Sequence, residues 1–373
     1  MGKKNNKGMT YEKAGINIKA AKNSIDLSRA DIEATYTNEV LADLGLFASA
    51  VDLKNILAEY RHPVMVTSTD GAGTITWVAK KANKIFTAGW FRIGYSVAAH
   101  CFADIATLGA KPKVFLNSIS AEKINPATNR EILFGMSQAC QEADCILGGG
   151  ETAEMPDIIC REQYDVCGTA IGFVERDKMI IAPRLIQPGD VIIGIESWGL
   201  HLNGLSLARK ILFKSFWQRL SLNQQLKKQV PGGKTIVQEL LRGMPNYGPI
   251  ILSLLNKTHH KDWPIHGLAH ITGGGLKDNI ERLLPEDCQT KIYKSALPSA
   301  PIFSYLQKKG KVSDEEMFKT FNLGIGFIII IPHQTTPFDL ISRIKSFIRQ
   351  KGGLKSFLIG EIVKGEKGVE FII

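Results

Sequence analysis

The chain carries two hydrophobic rhythms, one of strands and one of helices, and the second half restarts the sequence of the first. Residues 63–69 are β-rich and predict a strand. Residues 93–108 predict a helix with Ile93, Val97 and Cys101 on one face. Residues 113–119 predict a strand. Asn125-Pro126 then opens a helix with proline in its first position. Ile132, Leu133, Met136, Ala139, Cys140 and Ala143 give that helix a 3.6-residue stripe. A strand follows over 164–174, and Pro188-Gly189-Asp190 reads as a turn in the connection from Pro183 to Asp190. The pattern then resumes with a strand over 191–195, a Gly-flanked loop over 197–204 and a helix over 204–216. Residues 217–235 are polar and rich in Gln and Lys, which predicts a surface segment. A helix follows Gly275 and ends by Pro285, a strand covers 324–331, Thr336-Pro337 caps a last helix, and a strand covers 357–363. The order implies a two-domain α/β or α+β chain, because strands outnumber the needs of a simple doubly wound sheet. The expected division is an N-terminal segment over 1–62, a first domain over 63–180 and a second over 181–373, with residues 1–10 disordered.

Composition narrows the class without changing this outline. The 373 residues are 44% hydrophobic, as in ordinary globular chains with a good core. The net charge of +10 suits anionic ligands such as nucleotides and phosphorylated metabolites. No nucleic-acid-binding motif accompanies it. The six cysteines form no C-x-x-C pair, so zinc and redox sites have little support. No apolar signal core opens the chain, and the aliphatic run from Phe327 to Ile331 is too short to cross a membrane. A cytoplasmic location is the expectation.

Three glycine-rich stretches carry the candidate chemistry. Ile146-Leu147-Gly148-Gly149-Gly150-Glu151-Thr152-Ala153-Glu154-Met155-Pro156 sets carboxylates and a hydroxyl after three glycines. Thr69-Asp70-Gly71-Ala72-Gly73-Thr74 repeats the design after a β-rich run, and His270-Ile271-Thr272-Gly273-Gly274-Gly275 leads into a helix. Glycine turns let backbone approach a ligand, and their N–H groups attract anions. Carboxylates beside them suit Mg2+, which takes one or two protein carboxylates together with phosphate oxygens. The combination points to Mg-nucleotide and phosphate chemistry. An acidic loop with a structural turn is the plainer alternative for any one stretch.

Taken in order, these motifs resemble the phosphoribosylformylglycinamidine cyclo-ligase family, also called aminoimidazole ribonucleotide synthetase. The resemblance runs from Tyr11-Glu12-Lys13-Ala14-Gly15-Ile16 through the Asp70 motif and Gly149-Gly150-Glu151-Thr152-Ala153-Glu154-Met155-Pro156. It continues in Ser197-Trp198-Gly199-Leu200-His201-Leu202-Asn203-Gly204, the His270 motif and Asn322-Leu323-Gly324-Ile325-Gly326. It implies a purine-synthetase-type fold whose N-terminal domain forms a β-barrel with a second copy, while a C-terminal α/β domain covers the cleft. It implies an ATP-dependent ligase acting on a phosphorylated small molecule, as a homodimer. Asp70, Asp104 and Glu151 resemble the acidic set that holds Mg2+. Gly71, Gly73, Thr74, Gly149, Gly150 and Thr152 would join Asp70 and Glu151 in binding ATP. His201 and Asp104 resemble catalytic residues. Asn203, Gly204, Thr272, Gly273, Gly274 and Gly275 would hold the substrate, with Asn279 and Arg282 either supporting that site or lining a solvated face.

The chain also departs from the family pattern. Asp43-Leu44-Gly45-Leu46-Phe47-Ala48-Ser49 has lost most of a glycine-rich segment thought to fold over ATP. Ile75 stands where a lysine is expected, Ser96 and Asn117 where aspartates are, and Ala103 where an asparagine is. Pro245-Asn246-Tyr247-Gly248-Pro249 lacks an expected arginine. Lys80, Lys81, Lys84 and Lys123 are candidates to compensate. The departures keep two alternatives open: a non-catalytic nucleotide-binding paralogue, and an ATP-using enzyme of the same superfamily with another substrate.

Overall fold

Strand-forming runs of the first half assemble into an open four-stranded sheet. The structure is a computed structural model that describes residues 9–11, 13–42, 45–213, 221–258, 264–332 and 338–372. A small antiparallel pair, β1 (Val40–Ala42) and β2 (Ala50–Val51), precedes the main sheet. That sheet comprises β3 (Pro63–Gly71), β4 (Lys111–Ala121), β5 (Ile146–Glu154) and β6 (Tyr164–Glu175) in the order β3-β6-β4-β5. Only β4 and β5 run parallel. The helices of this half are α1 (Ile18–Glu33), α2 (Leu53–Ala58), α3 (Ile75–Ala82), α4 (Gly89–Ala106) and α5 (Pro126–Glu142). Asn125 caps α5 as the sequence predicts, its side chain accepting from the N–H groups of Ala127 and Thr128.

The second half builds a six-stranded sheet, β12-β9-β11-β7-β10-β8. Its strands are β7 (Asp190–Glu196), β8 (Gly267–His270), β9 (Cys288–Tyr293), β10 (Ile325–Pro332), β11 (Ser356–Lys364) and β12 (Gly368–Ile372). Every residue of β10 is buried, so each isoleucine there contributes about 2 kcal/mol of burial. The helices of this half are α6 (Leu205–Leu212), α7 (Leu222–Leu226), α8 (Ile236–Leu240), α9 (Tyr247–Thr258), α10 (Gly275–Glu281), α11 (Pro301–Gly310), α12 (Asp314–Thr320) and α13 (Phe338–Gly352). Of these, α9 and α13 pack beside β10, whereas α6, α7, α8 and α11 add to the core over the four-stranded sheet.

Helix α4 joins the halves. It is apolar almost all round, the mark of a buried helix. Ile93, Val97, Cys101 and Phe102 belong to the core over the four-stranded sheet. Ala99, Ala103 and Ala106 belong instead to the core formed by α9, α13 and β10. On a third side α4 meets α5 backbone to backbone. A Cβ on Gly94 would fall 1.9 Å from the Ile132 carbonyl oxygen, and one on Gly135 2.0 Å from that of Phe91.

Several expectations change here. The Gly148-Gly149-Gly150 stretch is not a loop but part of β5, because β4 offers it a parallel partner. Its glycines serve strand packing: a Cβ on Gly150 would lie 2.3 Å from the Asn117 carbonyl oxygen. The surface segment at 217–235 contains α7, started by a Ser221–Gln224 capping box. Within one chain the N-terminal sheet is open, not a barrel. The Thr336-Pro337 cap, residues 214–216 of the predicted helix and most of the disordered tail at 1–8 lie outside the described residues.

Candidate active site

Two acidic residues and two histidines converge where the ends of β3 and β8 meet α4. Asp70 ends β3, His100 and Asp104 lie one turn apart on α4, and His270 ends β8. His100 Nε2 is 2.7 Å from Asp70 Oδ2 and 4.0 Å from Asp104 Oδ2. His270 Nδ1 is 2.8 Å from Asp104 Oδ1, and the Ser68 hydroxyl donates to Asp104 Oδ2 at 2.8 Å. The Gly71 N–H donates to Asp70 Oδ1 at 2.6 Å. The two imidazoles meet edge to face with ring centroids 4.4 Å apart. A cavity of about 320 Å³ opens onto this cluster, bordered also by Thr107, Thr272, Asn279 and Arg282.

Burial and pairing set the charges. Burial alone would raise the Asp104 carboxyl, but the His270 hydrogen bond, the nearby imidazoles and Ser68 overcome it and hold Asp104 at about 2. Asp70 follows the same balance: burial opposes its charge, and His100 and the Gly71 N–H bring it below its ordinary value. His100 is fully buried, which disfavours its charge, yet Asp70 and Asp104 raise it above the usual histidine value. His270 moves the other way. Burial and the neighbouring His100 charge outweigh its bond to Asp104, so His270 is the neutral ring and donates its Nδ1–H to the carboxylate.

Thr272, just before the glycines of the second half, borders the same cavity, whereas Gly273, Gly274 and Gly275 do not line it. Asn279, 3% exposed, braces the glycine loop by donating to the carbonyls of Gly273 at 3.1 Å and Gly275 at 2.8 Å. The Thr272 hydroxyl donates to Asn279 Oδ1 at 3.2 Å. Gly274 and Gly275 have φ of 95° and 60°, which glycine alone takes without strain. Asn203 lies beside Gly273, Gly204 starts α6 with φ 74°, and Thr74 shares a 2.7 Å hydroxyl contact with Ser206. The Asp70 motif therefore touches the first turn of α6, just past the Ser197–Gly204 loop.

Other sequence candidates sit apart. Glu151 is exposed on β5, in register with Ser118, Cys167 and Gly71 on successive strands. Three strand spacings place it about 14 Å from Gly71. It shares no cation centre with Asp70 and Asp104 in this chain. Glu154 of the same motif is a structural anchor: Oε1 accepts from Ile124 N–H at 2.9 Å and Oε2 from the Asn17 N–H that begins α1. Gly149 is bound through its carbonyl by Asn117, with Ser49 close by. His201 is buried with φ 60° and does not line the cavity. It packs 5.9 Å from the Tyr247 ring, itself 6.2 Å from His270. Burial and the nearby cationic groups hold His201 neutral, well below its ordinary value.

Three of the departures become intelligible. Ile75 and Ala103 are buried core residues. Tyr247 donates to the Glu196 carbonyl at 2.7 Å as the first residue of α9. Sequence reasoning missed His100 and His270 as site residues. The i, i+4 spacing of His100 and Asp104 was the available signal.

This two-domain α+β architecture recurs in solved structures of other proteins. Thiamine-monophosphate kinase from Stenotrophomonas maltophilia aligns with TM-score 0.63 at 17% identity, covering 94% of this chain and 95% of that one. Escherichia coli HypE aligns with TM-score 0.62 at 17% identity, covering 93% and 92%. At such identities the likeness concerns the fold alone. Family models described as AIR synthase related protein match the N-terminal domain over residues 56–174 and the C-terminal domain over 187–373. The phosphoribosylformylglycinamidine cyclo-ligase of Geotalea uraniireducens is 39% identical over 365 residues, 98% of each chain. That of Pseudothermotoga lettingae is 36% identical over 362 residues, 97% and 99% of the two chains. The chain belongs to the phosphoribosylformylglycinamidine cyclo-ligase family.

Proposed function

We propose that this chain closes formylglycinamidine ribonucleotide to aminoimidazole ribonucleotide at the expense of ATP, in purine biosynthesis. One arrangement carries the reading: Asp70 and Asp104, each beside a histidine, face a cavity that Thr272 and Asn279 of the second glycine motif also border. The near full-length similarity to relatives named for this reaction supports it. A HypE structure of the same fold is in complex with ATP.

The γ-phosphoryl group moves to the formyl oxygen as its bond to ADP breaks. The amidine nitrogen then attacks the activated carbon, phosphate leaves with that oxygen, and the nitrogen gives up a proton. Such transfer depends on positioning and on neutralising charge. Mg2+, when bound, supplies part of that neutralisation. Asp70 and Asp104 fit it: both are carboxylates oriented by buried partners, with side chains 43% and 29% exposed at the cavity. Glu151, Thr152, Gly149, Gly150, Gly71, Gly73 and Thr74 are assigned to the nucleotide. Thr272, Gly273, Gly274 and Gly275, with Asn203 and Gly204, are assigned to the substrate and its phosphate. His201 supports the site from behind, through Tyr247 and His270.

The active form is a homodimer whose paired N-terminal sheets close the barrel, and its location is the cytoplasm. The outward face of the sheet supports this, with Met65 63% exposed beside Thr67, Thr69, Ile171 and Leu116. Apolar sheet faces of this kind invite a cover. The purified protein is tested with Mg-ATP, with and without formylglycinamidine ribonucleotide. Substrate-dependent ADP matched by aminoimidazole ribonucleotide is expected. A folded protein that binds ATP and makes neither product overturns the proposal.

A further inference from the structure

We propose that His100, Asp104 and His270 form a nitrogen-bearing centre for a first-row transition metal ion, one that binds Co2+ or Zn2+ in preference to Mg2+ and without nucleotide. This deepens the reading of Asp104 as a cation ligand and rests on it. The donor atoms of the three residues lie within 4.8 Å of one another, two being ring nitrogens and one a carboxylate oxygen. Metal–nitrogen and metal–oxygen bonds near 2.1 Å put adjacent ligand atoms about 3.0–3.5 Å apart. The observed separations, 2.8 Å from His270 Nδ1 to Asp104 and 4.0 Å from His100 Nε2 to Asp104, bracket that range. Small side-chain rotations bring them into it.

On its far side each ring keeps one nitrogen that no other described group claims. Both are buried, and among the described residues His270 Nε2 and His100 Nδ1 have no hydrogen-bond partner. His100 Nε2 approaches Asp70 closely but out of line with any ring N–H, so it too lacks an aligned hydrogen bond. Buried imidazoles serving only as packing would be expected to satisfy their nitrogens. The near-side nitrogens, His270 Nδ1 and His100 Nε2, face Asp104, and a metal ion bound between them displaces the ring protons, including the one His270 donates to that carboxylate in the metal-free chain. Asp70, with Oδ2 beside His100, stands ready as a fourth ligand. The cavity leaves room beyond it for phosphate or solvent oxygens.

Ligand chemistry then decides the metal. Mg2+ prefers an all-oxygen octahedral shell and gains little from imidazole. Imidazole suits Fe, Ni, Cu and Zn, and two histidines with one carboxylate and open positions are a recurrent site for divalent transition metals. The cluster thus favours such an ion over Mg2+, while the oxygens of Asp70 and of a bound phosphate remain usable by either.

The test uses the full chain treated with chelator and kept free of nucleotide. Calorimetric titration with Co2+ and with Mg2+ is run beside the visible spectrum of the Co2+ form. Co2+ is expected to bind at one site, more tightly than Mg2+ by at least an order of magnitude, with a spectrum indicating nitrogen ligation. His270→Asn and His100→Gln should each weaken Co2+ by at least about tenfold and change Mg2+ affinity little. If His100→Gln fails to fold, His270→Asn and imidazole-nitrogen coupling in pulsed electron paramagnetic resonance of Mn2+ bound to the unaltered chain decide the matter. Equal affinity for Co2+ and Mg2+, or Co2+ binding unchanged in the folded variants, or no nitrogen coupling, overturns the proposal. Such a result beside intact Mg-ATP-dependent cyclisation spares the cyclo-ligase reading. Tight Co2+ binding by a chain that forms no product does the reverse.

Discussion

Replacing Asp104 by asparagine removes a charge whose energetic weight follows from its surroundings. The carboxyl sits at about 2 against an ordinary 3.8. That difference corresponds to about 2 kcal/mol of stability contributed by the ionised form. Because the folded value is the lower one, the contribution is complete above about pH 5 and declines as pH falls toward 2. Near pH 3 about half remains. Asparagine fills the same space and can still accept from His270, so little cavity cost is added. Urea unfolding of the two proteins with chelator present, which removes stabilisation by bound cations, should differ by about 2 kcal/mol at pH 7. The gap should narrow to about 1 kcal/mol at pH 3. A difference below about 0.5 kcal/mol at pH 7, the range of ordinary surface changes, would refute the electrostatic account. So would a gap that does not narrow in acid.

Gly94→Ala gains about 1 kcal/mol of helix propensity but drives a methyl against the Ile132 carbonyl, and overpacking costs about 1–3 kcal/mol or more. A net fall in Tm of about 4 °C is expected by calorimetry, and a rise would show that α4 and α5 separate freely. His201→Asn should keep the left-handed backbone and the circular dichroism spectrum while lowering turnover. It should leave the acidic limb of the pH–rate profile in place, since the buried ring is already neutral, and a displaced limb would mean that His201 titrates during catalysis. Light scattering at micromolar concentration should find a dimer, and Met65→Lys should shift it toward monomer. A monomeric parent chain would count against the shared barrel.

Much of the fold was legible because the elements that matter most have strong periods. The strands at 63–71, 111–121, 164–175, 190–196 and 325–332 all arise from runs the sequence marks. Asn125-Pro126 starts α5 through local chemistry alone. What escaped depends on partners far away in sequence. The Gly148–Gly150 stretch becomes a strand only because β4 lies alongside, and a propensity argument reads three glycines as a turn. The site was half legible. Asp70 and Asp104 were singled out from the sequence and do lie together, whereas His100 looked like one more position in an apolar helix and His270 like a prelude to glycines. Their meaning lies in where β8 and α4 meet, a contact across 166 residues. Glu151 was grouped with the two aspartates by chemistry, and the width of the sheet separates them.

The double allegiance of α4 has a consequence for how this protein can be taken apart. A genetic cut at the connection near 180 looks convenient, yet it would leave Ala99, Ala103 and Ala106 facing water on one fragment and Tyr247, Ile251 and Phe327 bare on the other. Each piece would expose the surface that the other should cover, and aggregation rather than independent folding is the natural outcome. Gene fragments encoding either half are poor modules for recombination, and any hinge for admitting substrate has to lie outside α4.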